Sequence, residues 1–329
     1  VARAAVWLGP RAYRLADVAV PDGVRAILDA ARSAADQAQV HALWEAEMCR
    51  RALAPLGLVP VLLKGTAYAA AGLPNALGRQ IGDLDILVPR DRLDDIESAL
   101  LGAGWEWVKD DPYDQAYYRR WMHELPPLIH SERDRMIDVH HTILPLTAKP
   151  TPDAAAMIDD AVPVPPRPSA EGAGGDWSDD APSFLILSPL DRILHCAAHL
   201  LADGELDGGL RNLWDFHCLL TDWQEAGSPH ITDWDSRRGQ LVARARKHGL
   251  EPVLWRAISL SILLFDNHRP NRTRLSDRLF LRRLLARDDW GRETHRPLRF
   301  AFYIRSHWMR MPPLMLARHL WAKLKRPAA

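Results

Sequence analysis

Residues 79–89 read RQIGDLDILVP, a polar turn followed by an apolar run that Pro89 ends. The run Leu84–Val88 predicts a buried strand. Successive side chains of a strand point to opposite faces of its sheet. Asp83 and Asp85 therefore project side by side from one face, while Leu84 and Ile86 face the other way into a core.

The Asp83/Asp85 pair suits a divalent cation. Two carboxylates this close repel each other, and a cation that neutralises them removes the repulsion. Hard oxygen ligands at this spacing favour Mg²⁺ or Mn²⁺. The alternative interpretation is a strand edge or turn with solvated acids, and the D-x-D pattern alone leaves both interpretations open.

A third acid occurs in the same kind of context. Asp138 lies between Ile137 and Val139 in a short predicted strand, Met136–His140. If this strand is adjacent in the sheet, Asp138 lies beside the first pair. Three acids on neighbouring strands can hold two metal ions, which orient and neutralise a triphosphate and activate an attacking hydroxyl.

A strand, a turn and a helix precede the acid pair. The apolar run Val59–Leu63 predicts a strand, and Ala67–Ala71 predicts the start of a helix. Between them, Gly65 allows close backbone approach, and the free N–H groups of a helix N-terminus suit phosphate. Thr66 adds a hydroxyl and Lys64 a positive charge. The same unit also serves as a plain connection, so a phosphate site is one of two interpretations.

The order of predicted elements indicates an α+β fold. Residues 1–57 form an N-terminal segment with a long Ala-rich helix over Val24–Leu53, and residues 58–146 form a small core with a mixed sheet. Residues 147–183 are rich in Pro and Gly and predict a surface arm or linker. Residues 184–329 predict a mainly helical C-terminal region, with helices at Leu190–Leu201, Leu210–Leu220, Asp235–His248, Val253–Leu264 and Arg274–Ala286.

Composition places the chain among globular proteins. Its 329 residues are 47% hydrophobic and 26% charged, enough to bury a core, and its formal net charge is zero. Three widely spaced cysteines make no zinc pattern and suit reduced thiols in a cytosol. The sequence contains no signal-peptide pattern and no apolar run of transmembrane length. These features predict a cytoplasmic protein.

Positive charge is concentrated toward the C-terminus. Residues 271–329 contain fifteen Lys and Arg against four Asp and Glu, so this basic C-terminal region follows an acidic body. It also contains Trp308, Trp321 and several Leu and Met residues. A terminal helix packed on the domain is one interpretation, and peripheral contact with an anionic membrane is another. Nucleic acid is the least favoured partner.

Together these motifs resemble the uncharacterised nucleotidyltransferase family of bacteria, within the polymerase-beta-like nucleotidyltransferase superfamily. The superfamily pattern is a Gly-Ser turn, a D-x-D strand and a third acid on a later strand, and Thr66 here replaces the usual Ser. The resemblance covers roughly residues 24–220. It rests on Leu63-Lys64-Gly65, Arg79, RQIGDLDILVP at 79–89, IDVHH at 137–141, LDRILHCAAHL at 190–200 and RNLWDFHCLL at 211–220.

The resemblance implies an enzyme that uses Mg²⁺ or Mn²⁺ to move a nucleoside monophosphate from an NTP substrate to an acceptor hydroxyl of unknown identity. The implied metal ligands are Asp83, Asp85 and Asp138, and Asp138 would also help to deprotonate the acceptor. The alternative is a non-catalytic module on the same fold that binds a nucleotide or a partner, with association at a membrane surface as a variant. The remaining implied site residues are Lys64, Gly65, Thr66 and Arg79 around the phosphates, and His140, His195, His199 and Asp215 in the wall of the cleft.

Two further groups of residues leave alternatives open. Asp191, His195 and His199 recur every fourth residue on one predicted helix face, where they could share a metal ion, be hydrogen-bonded core or interface residues, or line the wall of the cleft. The tyrosine-rich polar segment 113–118 belongs either to a substrate loop or to a surface helix.

Overall fold

In the computed structural model, one mixed sheet lies at the centre of the protein with helices packed against it. Residues 1–19, which carry the expectation about a signal peptide, residues 165–183 of the predicted arm and residues 311–329 lie outside the described part of the chain. The described residues are 20–164, 184–202, 204, 206, 208–226, 234–266, 274–288 and 291–310.

Seven short strands form the sheet within the described residues. These strands are β1 (Val61–Leu62), β2 (Asp83–Leu87), β3 (Trp105–Trp107), β4 (Leu128–His130), β5 (Met136–His140), β6 (Val162–Val164) and β7 (Phe184–Ile186). Their order across the sheet is β3-β4-β5-β2-β1-β7-β6. β2 pairs in parallel with β5, and β1 pairs in parallel with β7, whereas the other neighbours are antiparallel. The two acid-bearing strands, β2 and β5, are therefore neighbours near the middle of the sheet.

The described helices are α1 (Asp22–Leu53), α2 (Lys64–Ala70), α3 (Leu93–Gly102), α4 (Pro112–Trp121), α5 (Ala154–Asp159), α6 (Pro189–Ala202), α7 (Gly209–Glu225), α8 (Trp234–Lys247), α9 (Glu251–Phe265), α10 (Leu275–Leu284) and α11 (Arg296–Arg310). Helix α1 packs against α2, α3 and β2. Helices α6, α7 and α9 pack against one another, and α8 and α10 pack on α9. The helical part therefore forms a bundle that is centred on α6, α7 and α9.

Local sequence explains how the central strand is held. In β2, Leu84 and Ile86 are buried in the core, as the alternation of residue types predicts. Along α1, the small residues Ala35, Ala42 and Ala46 are buried, which lets this helix lie close to its neighbours. Apolar packing thus holds β2 by one face, and the acids of the strand project from the other.

A smaller apolar cluster joins the C-terminal helices. It includes Leu213 of α7, Leu260 of α9, Leu284 of α10 and Phe302 of α11. Helices α6 and α7 also contribute buried side chains to the main core around the sheet. These two helices therefore connect the sheet to the C-terminal bundle.

The predicted α+β fold, with a mixed sheet and a helical C-terminal region, is confirmed. The Ala-rich helix predicted over Val24–Leu53 is present as α1, and the strand predicted at Met136–His140 has these bounds in β5. The strand predicted at Leu84–Val88 is shifted by one residue in β2. The tyrosine-rich segment forms α4, so it is a helix and not a loop.

The sheet extends beyond the residues from which it was predicted. Strand β7 pairs with β1, and β6 pairs with β7, although β6 lies within the segment 147–183 whose composition predicts an arm. Strands of three residues are too short to show a periodic pattern, so their sequences carry little signal. The division of the chain at residues 57, 146 and 183 stays a prediction, and residues 165–183 lie outside the described part.

The basic C-terminal region is described as far as residue 310. Phe300 and Trp308 on α11 are exposed. No helix in the described ranges is long and apolar enough to cross a membrane. Peripheral membrane contact stays a prediction, and Trp321 and the other apolar residues of segment 311–329 lie outside the described residues.

Candidate metal centre

The parallel pairing of β2 with β5 places Asp85 directly opposite Asp138. Facing residues of neighbouring strands point to the same side of a sheet. His140, two residues further along β5, shares that side. One ligand atom from each of these three residues lies within 4.8 Å of the other two. Two acids that the sequence predicts at the site and one histidine that it predicts in the cleft wall are thus close together.

Asp85 is held by two side chains. Its Oδ1 accepts a hydrogen bond from Lys64 Nζ at 2.6 Å and lies 2.9 Å from Nε2 of His140. The residue is buried, with 3% of its surface exposed. Burial by itself raises the pKa of Asp85, but Lys64 and His140 outweigh it and hold the pKa well below its ordinary value. Asp85 is therefore ionised at neutral pH.

Asp138 has weaker support from its neighbours. Its Oδ1 is buried and has no hydrogen-bond partner among the described residues. Burial, together with the negative charges of Asp85 and Glu124, raises the pKa of Asp138 to about 7. A buried carboxylate oxygen without a donor, next to a second carboxylate, is unfavourable without a cation and suits oxygen ligation of a divalent one. The residues present thus fit Mg²⁺ or Mn²⁺.

Asp83 opens β2 on the same side of the sheet as Asp85. It is exposed, and it does not belong to the groups of described residues whose ligand atoms lie within 4.8 Å of one another. After burial and the nearer acids, the charge of Asp83 adds to the rise in the pKa of Asp138. Asp83 therefore lies at the solvent side of the acidic group and acts on it at a distance.

Lys64 begins α2 and turns toward the acids. Its backbone has a φ of +47°, in the left-handed region that residues other than glycine seldom adopt. Strain of this kind clusters at functional sites. Burial lowers the pKa of the Lys64 ammonium group, but Asp85, followed by Asp83 and Asp138, raises it above the ordinary value. In the structure, the ammonium group of Lys64 therefore pairs with a carboxylate, whereas the sequence predicts that it contacts a phosphate.

Gly65 lies against an arginine. A Cβ at position 65 would come within 2.7 Å of Arg79 Nε and 3.1 Å of Ile81 Cγ1. The absence of a side chain at Gly65 therefore lets the Arg79 guanidinium lie against the backbone. The sequence predicts that a phosphate makes this close approach. Thr66 is buried, and its hydroxyl has no partner among the residues that the structure describes. A phosphate role for Gly65 and Thr66 stays a prediction.

Arg79 and Asp215 form a buried ion pair, with 7% and 3% of their side chains exposed. Arg79 precedes β2 and Asp215 lies on α7, so the pair joins the sheet to the helical region. The guanidinium also lies over the ring of Tyr68, 5.4 Å from its centroid. The sequence predicts that Arg79 contacts a phosphate and that Asp215 lies in the cleft wall. Either role would require this buried ion pair to break.

The two histidines of α6 lie close to the charges of the centre. Burial lowers the pKa of His199 to about 3, and the charge of Lys64 adds to this effect. The rings of His195 and His199 are 6.4 Å apart. Asp191 instead accepts hydrogen bonds from Arg244 at 2.7 and 2.6 Å. Among the described residues, ligand atoms of Asp191, His195 and His199 do not all lie within 4.8 Å of one another. The structure gives no support to a shared ion, and a place for the histidines in the cleft wall stays a prediction.

Two residues at the centre have no signal in the sequence, His123 and Glu124. They lie in the connection between α4 and β4, where Glu124 forms an isolated backbone bridge with His140. Glu124 Oε2 lies 3.3 Å from His140 Nδ1 and 3.6 Å from His123 Nε2. Burial lowers the pKa of His123 to about 2, with a contribution from His140, so the ring of His123 is neutral. An irregular connection has no periodicity from which such a role could be predicted.

A family match covers most of the chain. The sequence model of the family described as uncharacterised nucleotidyltransferase matches residues 4–266. The chain belongs to this uncharacterised nucleotidyltransferase family. No curated protein and no solved structure matches the chain.

The nucleotidyltransferase match includes every described strand and the helices from α1 to α9. It therefore contains both acid-bearing strands, whereas α10 and α11 lie beyond it. Within the described residues, the side chains around Asp85 and Asp138 include groups that could bind a metal. The candidate metal centre thus lies inside the region that the family model matches.

Replacing Gly65 by Ala tests the packing of the chain around Arg79. The added methyl group overlaps the guanidinium and Ile81, so we expect the free energy of unfolding to fall by about 1–3 kcal/mol. Urea denaturation measures the change. Gly239→Ala is the matched control, because a Cβ there meets nothing within 4 Å and Ala should stabilise α8 by about 0.5–1 kcal/mol. Stabilisation by both substitutions would contradict the close contact at Gly65.

The raised pKa of Asp138 predicts how the stability of the metal-free protein varies with pH. The carboxyl group loses its proton near pH 7 in the folded chain, compared with an ordinary pKa of 3.8. The folded state binds more protons between these values, so the contribution of Asp138 to stability falls as pH rises through that window. Asp138→Asn removes this titration. The melting temperature of the variant minus that of the wild type, measured in EDTA, should therefore increase from about pH 5 to about pH 8. A difference that stays constant over this range would contradict the raised pKa.

Proposed function

We propose that this chain transfers a nucleoside monophosphate from an NTP to an acceptor hydroxyl with the help of Mg²⁺ or Mn²⁺, and releases pyrophosphate. The observation that carries the proposal is the buried Oδ1 of Asp138, which has no hydrogen-bond partner among the described residues and lies close to the carboxylate of Asp85. Two carboxylates held together in this way are unfavourable unless a cation joins them. Membership of the nucleotidyltransferase family supports the same class of reaction, as does the resemblance to the polymerase-beta-like superfamily.

Asp85 and Asp138 would hold the metal, together with Asp83 from the start of β2. When bound, the metal neutralises and orients the triphosphate of the nucleotide. Asp83 is exposed, so its carboxylate can approach the centre from the solvent side. Lys64 balances the charge of Asp85 in the metal-free chain, and a metal would take over that task. The ammonium group of Lys64 would then be available to a phosphate.

The proton of the acceptor hydroxyl would pass to Asp138. The hydroxyl oxygen forms a bond to the α-phosphorus of the NTP, the bond from this phosphorus to the bridging oxygen breaks, and pyrophosphate leaves. Asp138 suits the role because its buried Oδ1 accepts no hydrogen bond from the described residues and can receive a proton. Asp85 suits the other role, because Lys64 and His140 keep it ionised as a ligand.

Calorimetry with Mn²⁺ and an NTP tests the binding part of the proposal. We expect the double variant Asp83→Asn/Asp85→Asn to lose at least about tenfold in Mn²⁺ affinity in the presence of nucleotide, because two of the three proposed ligands become neutral. The matched control is Asp94→Asn/Asp95→Asn, which removes the same charge from exposed positions on α3. Equal binding by the Asp83/Asp85 variant and the wild type would contradict the assigned site.

A screen for transfer tests the reaction itself. Labelled NTPs are incubated with the chain, Mg²⁺ or Mn²⁺, and cell extract, and the mixture is searched for a labelled product that also depends on Asp138. We expect a product with the wild type and at least about 100-fold slower formation of it with Asp138→Asn. Nucleotide binding without transfer to any acceptor would instead favour a non-catalytic module on the same fold that binds a nucleotide or a partner.

A further inference from the structure

His140 bridges two carboxylates with its two ring nitrogens. Its Nε2 lies 2.9 Å from Asp85 Oδ1, and its Nδ1 lies 3.3 Å from Glu124 Oε2. Only 2% of the side chain is exposed. A histidine that binds a metal commonly donates its other ring N–H to a carboxylate, which orients the ring and makes the free nitrogen a better ligand. Asp85 is placed to do this for His140, with Nδ1 turned toward Glu124.

Two more potential ligands, Glu124 and His123, lie beside His140. Glu124 Oε2 and His123 Nε2 are 3.6 Å apart, and one ligand atom from each of His123, Glu124 and His140 lies within 4.8 Å of the others. The backbone holds them there, because Glu124 bridges His140 and the N–H of His141 donates to the carbonyl of His123 at 2.9 Å. The three ligands are therefore gathered before any ion binds.

We propose that His123, Glu124 and His140 form a second divalent-metal site, for a borderline ion of the Zn²⁺ class. Two imidazole nitrogens and one carboxylate are a typical ligand set for such ions, in contrast to the oxygen ligands that Mg²⁺ prefers. Three protein ligands leave a coordination position for water or a substrate atom, as in catalytic zinc sites.

The new site and the carboxylate site can be filled together. His140 gives Nδ1 to the new site and Nε2 to Asp85, so Asp85 and Asp138 keep oxygen atoms for a hard cation. Asp85 acts on the new site as a positioning residue, since it holds the ring of His140. The proposal does not depend on nucleotidyl transfer, because metal binding to these three residues needs no nucleotide.

Cobalt serves as a spectroscopic probe of the site. The full-length chain is stripped of metal and titrated with Co²⁺ in the absence of nucleotide, and binding is followed by the visible absorption of ligand-bound cobalt. We expect the wild type to bind Co²⁺ with this absorption, Zn²⁺ to displace it and excess Mg²⁺ to leave it unchanged. A Co²⁺ signal that Mg²⁺ removes would place the metal at the carboxylates and overturn the proposal.

Substitutions separate the two sites. His123→Asn and Glu124→Gln should each weaken Co²⁺ binding by more than about 100-fold, and Asp85→Asn, which removes the positioning carboxylate, by about 10–100-fold. Asp138→Asn should keep both the affinity and the spectrum. The matched control is His41→Asn, at an exposed histidine on α1.

The variants also give the results that would overturn the proposal. Unchanged Co²⁺ affinity in both His123→Asn and Glu124→Gln would overturn it, as would loss of the signal in Asp138→Asn but not in Glu124→Gln. Melting curves of the metal-free proteins show whether each variant is folded. Glu124→Gln preserves the size of the side chain, so it serves as the test if His123→Asn fails to fold. Since no nucleotide is present, these outcomes are independent of whether the chain transfers nucleotides.

Discussion

Asp138→Asn should reduce single-turnover nucleotidyl transfer by about 10²–10⁴-fold, the usual contribution of a general base. Asn keeps the shape of the side chain but removes its charge and its ability to accept the proton of the acceptor hydroxyl. NTP affinity should fall much less, because Asp83 and Asp85 remain to hold the metal. Rapid mixing with labelled NTP and the acceptor identified by the screen gives the rate, and calorimetry gives the affinity.

The comparison of rate with affinity separates the two roles of Asp138. A loss of affinity as large as the loss of rate would mean that Asp138 acts through metal binding alone. Transfer at the rate of the wild type would show that the base is another group. Asp94→Asn, at an exposed position on α3, is the control for removal of one negative charge and should leave both quantities unchanged.

Asp215→Ala should cause the largest loss of stability among the substitutions considered. It leaves the guanidinium of Arg79 buried without its carboxylate, and loss of one partner from a buried pair costs about 3–5 kcal/mol. Folded domains have a free energy of unfolding of about 5–15 kcal/mol, so this loss is a large fraction of the total. Urea denaturation of the wild type and the variant measures it.

A second variant shows that the loss comes from the unpaired charge. Arg79→Met combined with Asp215→Leu should recover most of the stability, because apolar residues of similar size replace a buried pair with little loss. The surface control is Asp95→Ala, which breaks the exposed pair of Arg92 and Asp95 at 3.0 Å and should change stability little. A loss in Asp215→Ala no larger than in this control would mean that water compensates Arg79.

Local patterns in the sequence determined the elements that carry the acids. Alternation over residues 83–86 distinguishes the two sides of β2, and the apolar neighbours of Asp138 do the same for β5. Side-chain direction in a strand depends only on whether a position is odd or even, so a few residues are enough to predict it. Helical periodicity is equally local, which is why α1 and the helices from α6 to α10 could be predicted within a few residues.

The ion pairs of Asp85 and Asp215 could not be predicted in this way, because the partner residues come from distant parts of the chain. Lys64 and Asp85 are 21 positions apart, and Arg79 and Asp215 are 136 positions apart. Both cations were predicted to contact phosphate, since a lone Lys or Arg near a glycine turn gives no indication of which acid it will meet. Strand order and the packing of α7 against the turn before β2 decided these pairs.

Only the tertiary structure brought His123 and Glu124 to His140. The connection after α4 pairs with the end of β5, and this pairing places a second set of ligands beside the acids. Strand pairing is set by burial of the whole core and by the topology of the sheet, and no single segment encodes it. Periodicity therefore determined the direction of each acid, whereas the packing of the complete chain decided which side chains surround it.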